Sequence, residues 1–207
     1  MEILKLEREK LSELLVVVVR DLRKGKVIAI PTDTIYGLIA DASNGKAVTK
    51  VFKIKKRPES KVFPVFVKDI KMAKKFAKID KRQEEFLKKY WPGKVTVVLE
   101  RKGRKKIYGV EKKTIGLRIP DSKIINAIIS KIKRPLVQTS VNISGQPSIN
   151  DPEKISEIFL GKKFKPDLII DDGPIKEGLR STLVDLTGEE LKILREGAIK
   201  IQWNAKI

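Results

Sequence analysis

Short β-branched runs alternate with amphipathic helical stretches along this chain, and that alternation commits it to an α/β fold around a mixed sheet. Leu11, Leu14, Leu15, Val18, Val19 and Leu22 recur at helical spacing, and Gly25 stands where such a helix would end. A short buried strand follows at 26–31, and Thr32 to Gly37 reads as a polar turn. Ala47, Val48, Val51 and Phe52 predict a second helix that must stop before Pro58. A strand at 62–67 and two helical stretches lead to Tyr90, where Trp91, Pro92 and Gly93 break the chain. Strands at 95–99 and 115–119, a helix at 124–132 and a strand at 136–139 precede the polar segment from Ser140 to Gly145. Further strands fit 168–170, 182–186 and 191–194, and the basic stretch from Arg101 to Lys106 reads as a solvated loop. With 207 residues and no repeat, low-complexity tract or linker, the expectation is one domain spanning 1–207.

The chain contains no His and no Cys, which removes disulfides, thiol chemistry, His-based metal sites and every Ser-His or Cys-His catalytic arrangement. No side chain then has an ordinary pKa near 7, so proton transfer at neutral pH would need a strongly shifted Lys or carboxylate. Lys and Arg number 46 against 26 Asp and Glu, a net charge of +20, which favours phosphate-bearing partners. Chemistry suited to such a chain is positional and electrostatic, and phosphoryl or adenylyl transfer fits that description. Heat adaptation also explains a surface rich in Lys and Glu, though not the imbalance of sign. Mixed charges at the N-terminus and an apolar run of only Leu14 to Val19 predict neither a signal peptide nor a membrane span, and hence a cytoplasmic protein.

The common nucleotide-binding loops are missing. Gly45-Lys46 and Gly93-Lys94 lack the remaining residues of a Walker A loop, and no G-x-G-x-x-G occurs. A phosphate site must therefore come from separated segments. Lys55, Lys56 and Arg57 gather cations where Pro58 forces a helix to end, although basic residues there also satisfy the last carbonyls and the helix dipole. Ser140 and Asn142 follow a strand and offer hydroxyl and amide groups for phosphate or ribose, or for ordinary turn bonding. Arg118 sits within an apolar strand, which places it on a polar cleft, beside a carboxylate, or on a solvent face.

Seven segments in order resemble the YrdC family, the threonylcarbamoyl-AMP synthases: Pro31 to Leu38, Lys55 to Pro58, Trp91 to Gly93, Leu117 to Pro120, Thr139 to Gly145, Ser181 to Asp185 and Leu194 to Ile199. The resemblance implies a twisted mixed sheet flanked by helices, with an open basic cleft. It implies synthesis of threonylcarbamoyl-AMP from L-threonine, bicarbonate or CO2, and ATP with Mg2+, releasing pyrophosphate. A downstream tRNA threonylcarbamoyltransferase would consume the product, and tRNA or double-stranded RNA is a candidate direct partner. By the same resemblance Lys55 and Arg57 are catalytic and bind the nucleotide with Ser140, Asn142, Ser181 and Arg195, while Thr34 and Arg118 bind threonine. An Arg fork suits a carboxylate.

A non-catalytic RNA-binding protein is the competing reading, on the strength of the charge alone. Against it, only 6% of residues are aromatic and most lie in apolar segments, so the sequence displays no base-stacking platform.

Overall fold

In the computed structural model, which describes residues 1–103, 105–175 and 178–202, strands and helices alternate as follows. The order is β1 (Glu2–Lys5), a 3-10 turn (Arg8–Lys10), α1 (Leu11–Arg23), β2 (Ile28–Ile30), β3 (Gly37–Asp41), α2 (Gly45–Lys55), β4 (Val65–Phe66), α3 (Ile70–Ala73) and α4 (Lys81–Tyr90). It continues through β5 (Val95–Glu100), β6 (Thr114–Arg118), α5 (Lys123–Ile132), β7 (Leu136–Ser140), α6 (Pro152–Phe159), β8 (Leu168–Asp171), β9 (Thr182–Asp185) and β10 (Lys192–Arg195). Arg104 of the basic stretch and positions 203–207 of the expected domain lie outside the described residues.

All ten strands join one mixed sheet in the order β1-β8-β2-β3-β7-β4-β6-β5-β9-β10. The β1–β8, β2–β8, β4–β6 and β5–β9 pairs are parallel and the others antiparallel. Side chains alternate between the two faces, so each strand feeds two layers. On one face Ala29, Leu38, Val65, Val97, Leu117, Val137, Ile169 and Val184 pack with apolar residues of α2, α3, α4 and α6. On the other, Ile28, Ile30, Ile39, Phe66, Leu136, Leu168 and Ile170 pack with α1 and α5.

That second layer stops short. Where β5, β6 and β9 continue the sheet, the residues on the α1–α5 side become Thr96, Val98, Gly116, Arg118 and Leu183, with Ser181 just before β9, and none joins the second core. Half of one sheet face is therefore left without helices, and the cleft lies there.

Caps set where the helices begin. Asn44, Asp69, Asp80, Ser122 and Asp151 each accept a hydrogen bond from a first-turn backbone N–H, and Asp80 with Gln83 completes a capping box. Three elements go beyond the sequence reading: β1, β3 and α6. The expected strand at 62–67 also contracts to Val65–Phe66. Pro64 has no N–H for a ladder, and Phe63 bonds instead to Gly109 across a loop at 2.8 Å.

Candidate active site

At the uncovered half-face, Thr34, Arg57, Arg118, Ser140, Ser181 and Arg195 line one cavity with Ile35, Phe63, Pro64, Gln138, Thr139 and Arg180. Six of the eight residues singled out from the sequence thus converge from six separate segments. Lys55 and Asn142 stand behind Ser140 and are not part of the lining. The cavity encloses about 100 Å³. At roughly 10–15 Å³ per water that is room for a small polar molecule.

Arg118 is the floor. Its guanidinium is only 1% exposed. Nε donates to Gly93 O at 2.8 Å, one terminal nitrogen to Asp33 Oδ2 at 2.5 Å, and the other to Thr34 Oγ1 at 3.4 Å. Three of its five N–H groups are thereby spent, and two remain for a ligand. Burial lowers the Arg118 pKa and Asp33 opposes the effect, so the cation persists. Asp33 also accepts from the backbone N–H of Asp121 at 3.1 Å, which ties the turn after β6 to the loop after β2. Asp33 is a residue the sequence reading missed, because its partner lies 85 positions away.

Thr34 is oriented by Thr32. The Thr32 hydroxyl donates to Ile35 O at 2.7 Å and meets Thr34 Oγ1 at 2.9 Å, which leaves Thr34 to donate to Thr32 and to accept from Arg118. Gly178 presses on this loop: a Cβ there would stand 2.4 Å from Thr34 O.

Lys55 closes α2 and is 2% exposed. Its ammonium donates to Ser140 O at 2.8 Å and to Asn142 Oδ1, and Ser140 Oγ donates to the same Asn142 oxygen at 2.6 Å. Asn142 Nδ2 in turn donates to Ile143 O at 2.9 Å and Gln146 O at 2.6 Å, so one lysine braces the whole Ser140 to Gln146 loop. Burial, with Arg57 and Arg180 nearby, pushes the Lys55 pKa down to about 7. A strongly shifted lysine is therefore present, set behind the lining and not on it.

The next residue, Lys56, ends α2 in the left-handed conformation, φ 46°. That turn aims Arg57 back toward the cleft, where its Nε donates to Lys61 O at 2.5 Å and a terminal nitrogen donates to Val62 O at 2.9 Å. On the opposite wall Arg195 donates to Ser181 O at 2.8 Å, and Ser181 Oγ shares a hydrogen bond with Thr96 Oγ1 at 2.8 Å. Arg195 has its pKa lowered by burial and by the neighbouring Arg180 and Arg118. Four guanidinium groups thus surround one small cavity whose lining contains no carboxylate. Such a site is built for anions. Among the described residues no cluster of acidic side chains is suited to hold a metal ion. No helix is long and apolar enough to cross a membrane, within the same residues.

Comparison with known proteins agrees with this geometry. The Sua5/YciO/YrdC family model, described as telomere recombination, matches residues 20–197. A relative from Methanocaldococcus jannaschii is 36% identical over 201 residues, covering 97% of this chain and 92% of its own. The threonylcarbamoyl-AMP synthase of Pyrococcus abyssi is 33% identical over 190 residues, 90% of this chain and 54% of its own, so the chain spans about half that enzyme's length. The crystal structure of P. abyssi Sua5 complexed with L-threonine superposes with a TM-score of 0.83 at 30% identity, over 95% of this chain and 58% of the other.

Proposed function

This chain belongs to the Sua5/YciO/YrdC family, and on that footing we propose that it makes threonylcarbamoyl-AMP from L-threonine, bicarbonate or CO2, and ATP, releasing pyrophosphate. The observation that carries the reading is the pairing of a buried, Asp33-anchored Arg118 at the cavity floor with Arg57, Arg180 and Arg195 around it. Arg118 takes the amino-acid carboxylate through its two remaining N–H groups, and Thr34 fixes that guanidinium in place by accepting from it. The threonine amine, once it has captured CO2, presents a carbamate oxygen toward the α-phosphate. Arg57, Arg180 and Arg195 hold the phosphates and offset the charge that grows on departing pyrophosphate. The Ser140 hydroxyl, its proton held by Asn142, offers its lone pair at the nucleotide, on a loop that Lys55 braces. Mg2+ would arrive on the ATP phosphates, since the lining offers it no carboxylate.

Likeness to synthases favours this reading over a non-catalytic RNA binder. A tRNA-modifying transferase as consumer of the product, and a cytoplasmic setting, follow from it. The test is conversion of ATP to AMP and pyrophosphate with and without L-threonine and bicarbonate, with mass spectrometry for the adenylate. Product that requires both co-substrates is the expected result. Lys55→Ala and Arg57→Ala should each reduce AMP formation at least about tenfold, and unchanged rates in both would sink their assignment.

A further inference from the structure

Gln138 lies in β7, on the cleft face, and lines the cavity beside Thr34, Arg118 and Ser140. It is 9% exposed. Its backbone N–H donates to Pro64 O at 2.9 Å, yet its side-chain amide has no hydrogen-bond partner among the described residues. The side-chain atoms sealed from solvent without a partner are Asp33 Oδ1 and Asn126 Oδ1. The Gln138 amide is not among them, so it opens onto the cavity. Gly37, on the neighbouring strand β3, makes room for it: a Cβ there would stand 3.2 Å from Gln138 Nε2. A glycine inside a strand is unfavourable unless a close approach requires it, and here the approaching group is this amide.

A primary amide that is nine-tenths buried and unbonded within the protein is left for a ligand or water in the cavity to engage. The group that matches it is one that both donates and accepts, because the amide offers two N–H donors and a carbonyl acceptor. Phosphate oxygens only accept, and three arginines already face them. The amino-acid carboxylate falls to Arg118. The remaining two-way polar group of threonine is its hydroxyl. We infer that Gln138 reads the side-chain hydroxyl of the amino acid, and so sets the preference for threonine over the same amino acid without it. This rests on the synthase reading above.

The experiment compares AMP formation from L-threonine and from L-2-aminobutyrate by wild type, Gln138→Leu and Gln138→Ala, with KM for ATP and bicarbonate measured alongside. A site built to bond a hydroxyl discriminates strongly against its absence, so kcat/KM for threonine should fall on the order of tenfold to a hundredfold in Gln138→Leu. The value for 2-aminobutyrate should stay within about twofold, as should KM for ATP and bicarbonate, because the rest of each contact is untouched. Equal losses for both amino acids, an unchanged ratio, or a raised bicarbonate KM would overturn the inference, the last by moving the amide to the carbamate. The alanine variant keeps the comparison available if melting curves show that the leucine variant does not fold. A wild type that forms no AMP overturns the synthase reading instead. The hydroxyl assignment is then judged by calorimetric titration, supported by a wild-type preference for threonine that Gln138→Leu lacks and overturned by equal affinities.

Discussion

Lys55 gives this His-free chain a group that titrates near pH 7, and it does so by burial at the end of α2. Phosphates arriving beside Arg57 and Ser140 favour the charged amine and raise its pKa. Nucleotide binding near neutrality is therefore coupled to proton uptake, and ATP affinity declines as pH rises above about 7. Calorimetry of ATP binding in buffers of different ionisation enthalpy should count about half a proton taken up at pH 7 and more at pH 8; zero uptake would separate Lys55 from the phosphates. Asp33 is the second consequential side chain. Asp33→Asn removes one charge of a buried pair, at a cost of about 3–5 kcal/mol, and frees the Arg118 fork. Its melting temperature should drop and its threonine KM should rise at least about tenfold, as expected for a lost charge-assisted contact, while KM for ATP is unchanged. Arg57, Arg118 and Ser140 stood out by residue type and position in the sequence, whereas Thr34, Ser181 and Arg195 entered only through the family resemblance; all six line the cavity. Asp33 and Gln138 were legible in neither way, because an acid beside two threonines and a polar residue in a strand acquire meaning only from neighbours folded against them.

The elements that could be read were those whose apolar spacing is strong. Both α1 and α5 carry an unbroken stripe of Leu, Val and Ile, and both fall within a residue or two of the expected bounds. β3 escaped because Gly37 and Ala40 dilute its apolar run, although the strand is buried throughout. β1 sets only Ile3 and Leu4 between the charged Glu2 and Lys5 on an outer edge, where little core signal is required. α6 did have a signature, with Asp151 as cap, Pro152 in the first turn, and Ile155 and Phe159 on one face. Connections between elements depend on close approaches as well. A Cβ on Gly197 would stand 2.4 Å from Arg180 O and 2.5 Å from Thr182 N, so the segment after β10 lies directly on the wall carrying Ser181. Gly197→Ala should lower stability by about 1–3 kcal/mol in denaturant titrations and raise KM for ATP more than KM for threonine.

A chain of net charge +20 repels itself, and the four arginines of the cleft add to that where they crowd together. Raising ionic strength toward about 0.15 M, where screening acts beyond about 8 Å, should increase the melting temperature and at the same time weaken ATP binding. Opposite responses of stability and affinity to salt would show that the charge excess serves anions and not the fold. The uncovered half-face also sorts heritable change. In β2, β3 and β8, side chains on both faces are sealed by helices, and most substitutions there will be felt as lost protein. Around Thr96, Gly116, Arg118 and Gln138 one face looks into the cleft, so a substitution can alter selectivity while the opposite face keeps the strand in place. A saturation library scored once for soluble yield and once for turnover should divide into two adjoining territories on a single sheet. New amino-acid preferences would be recruited from the second without first having to rescue the first.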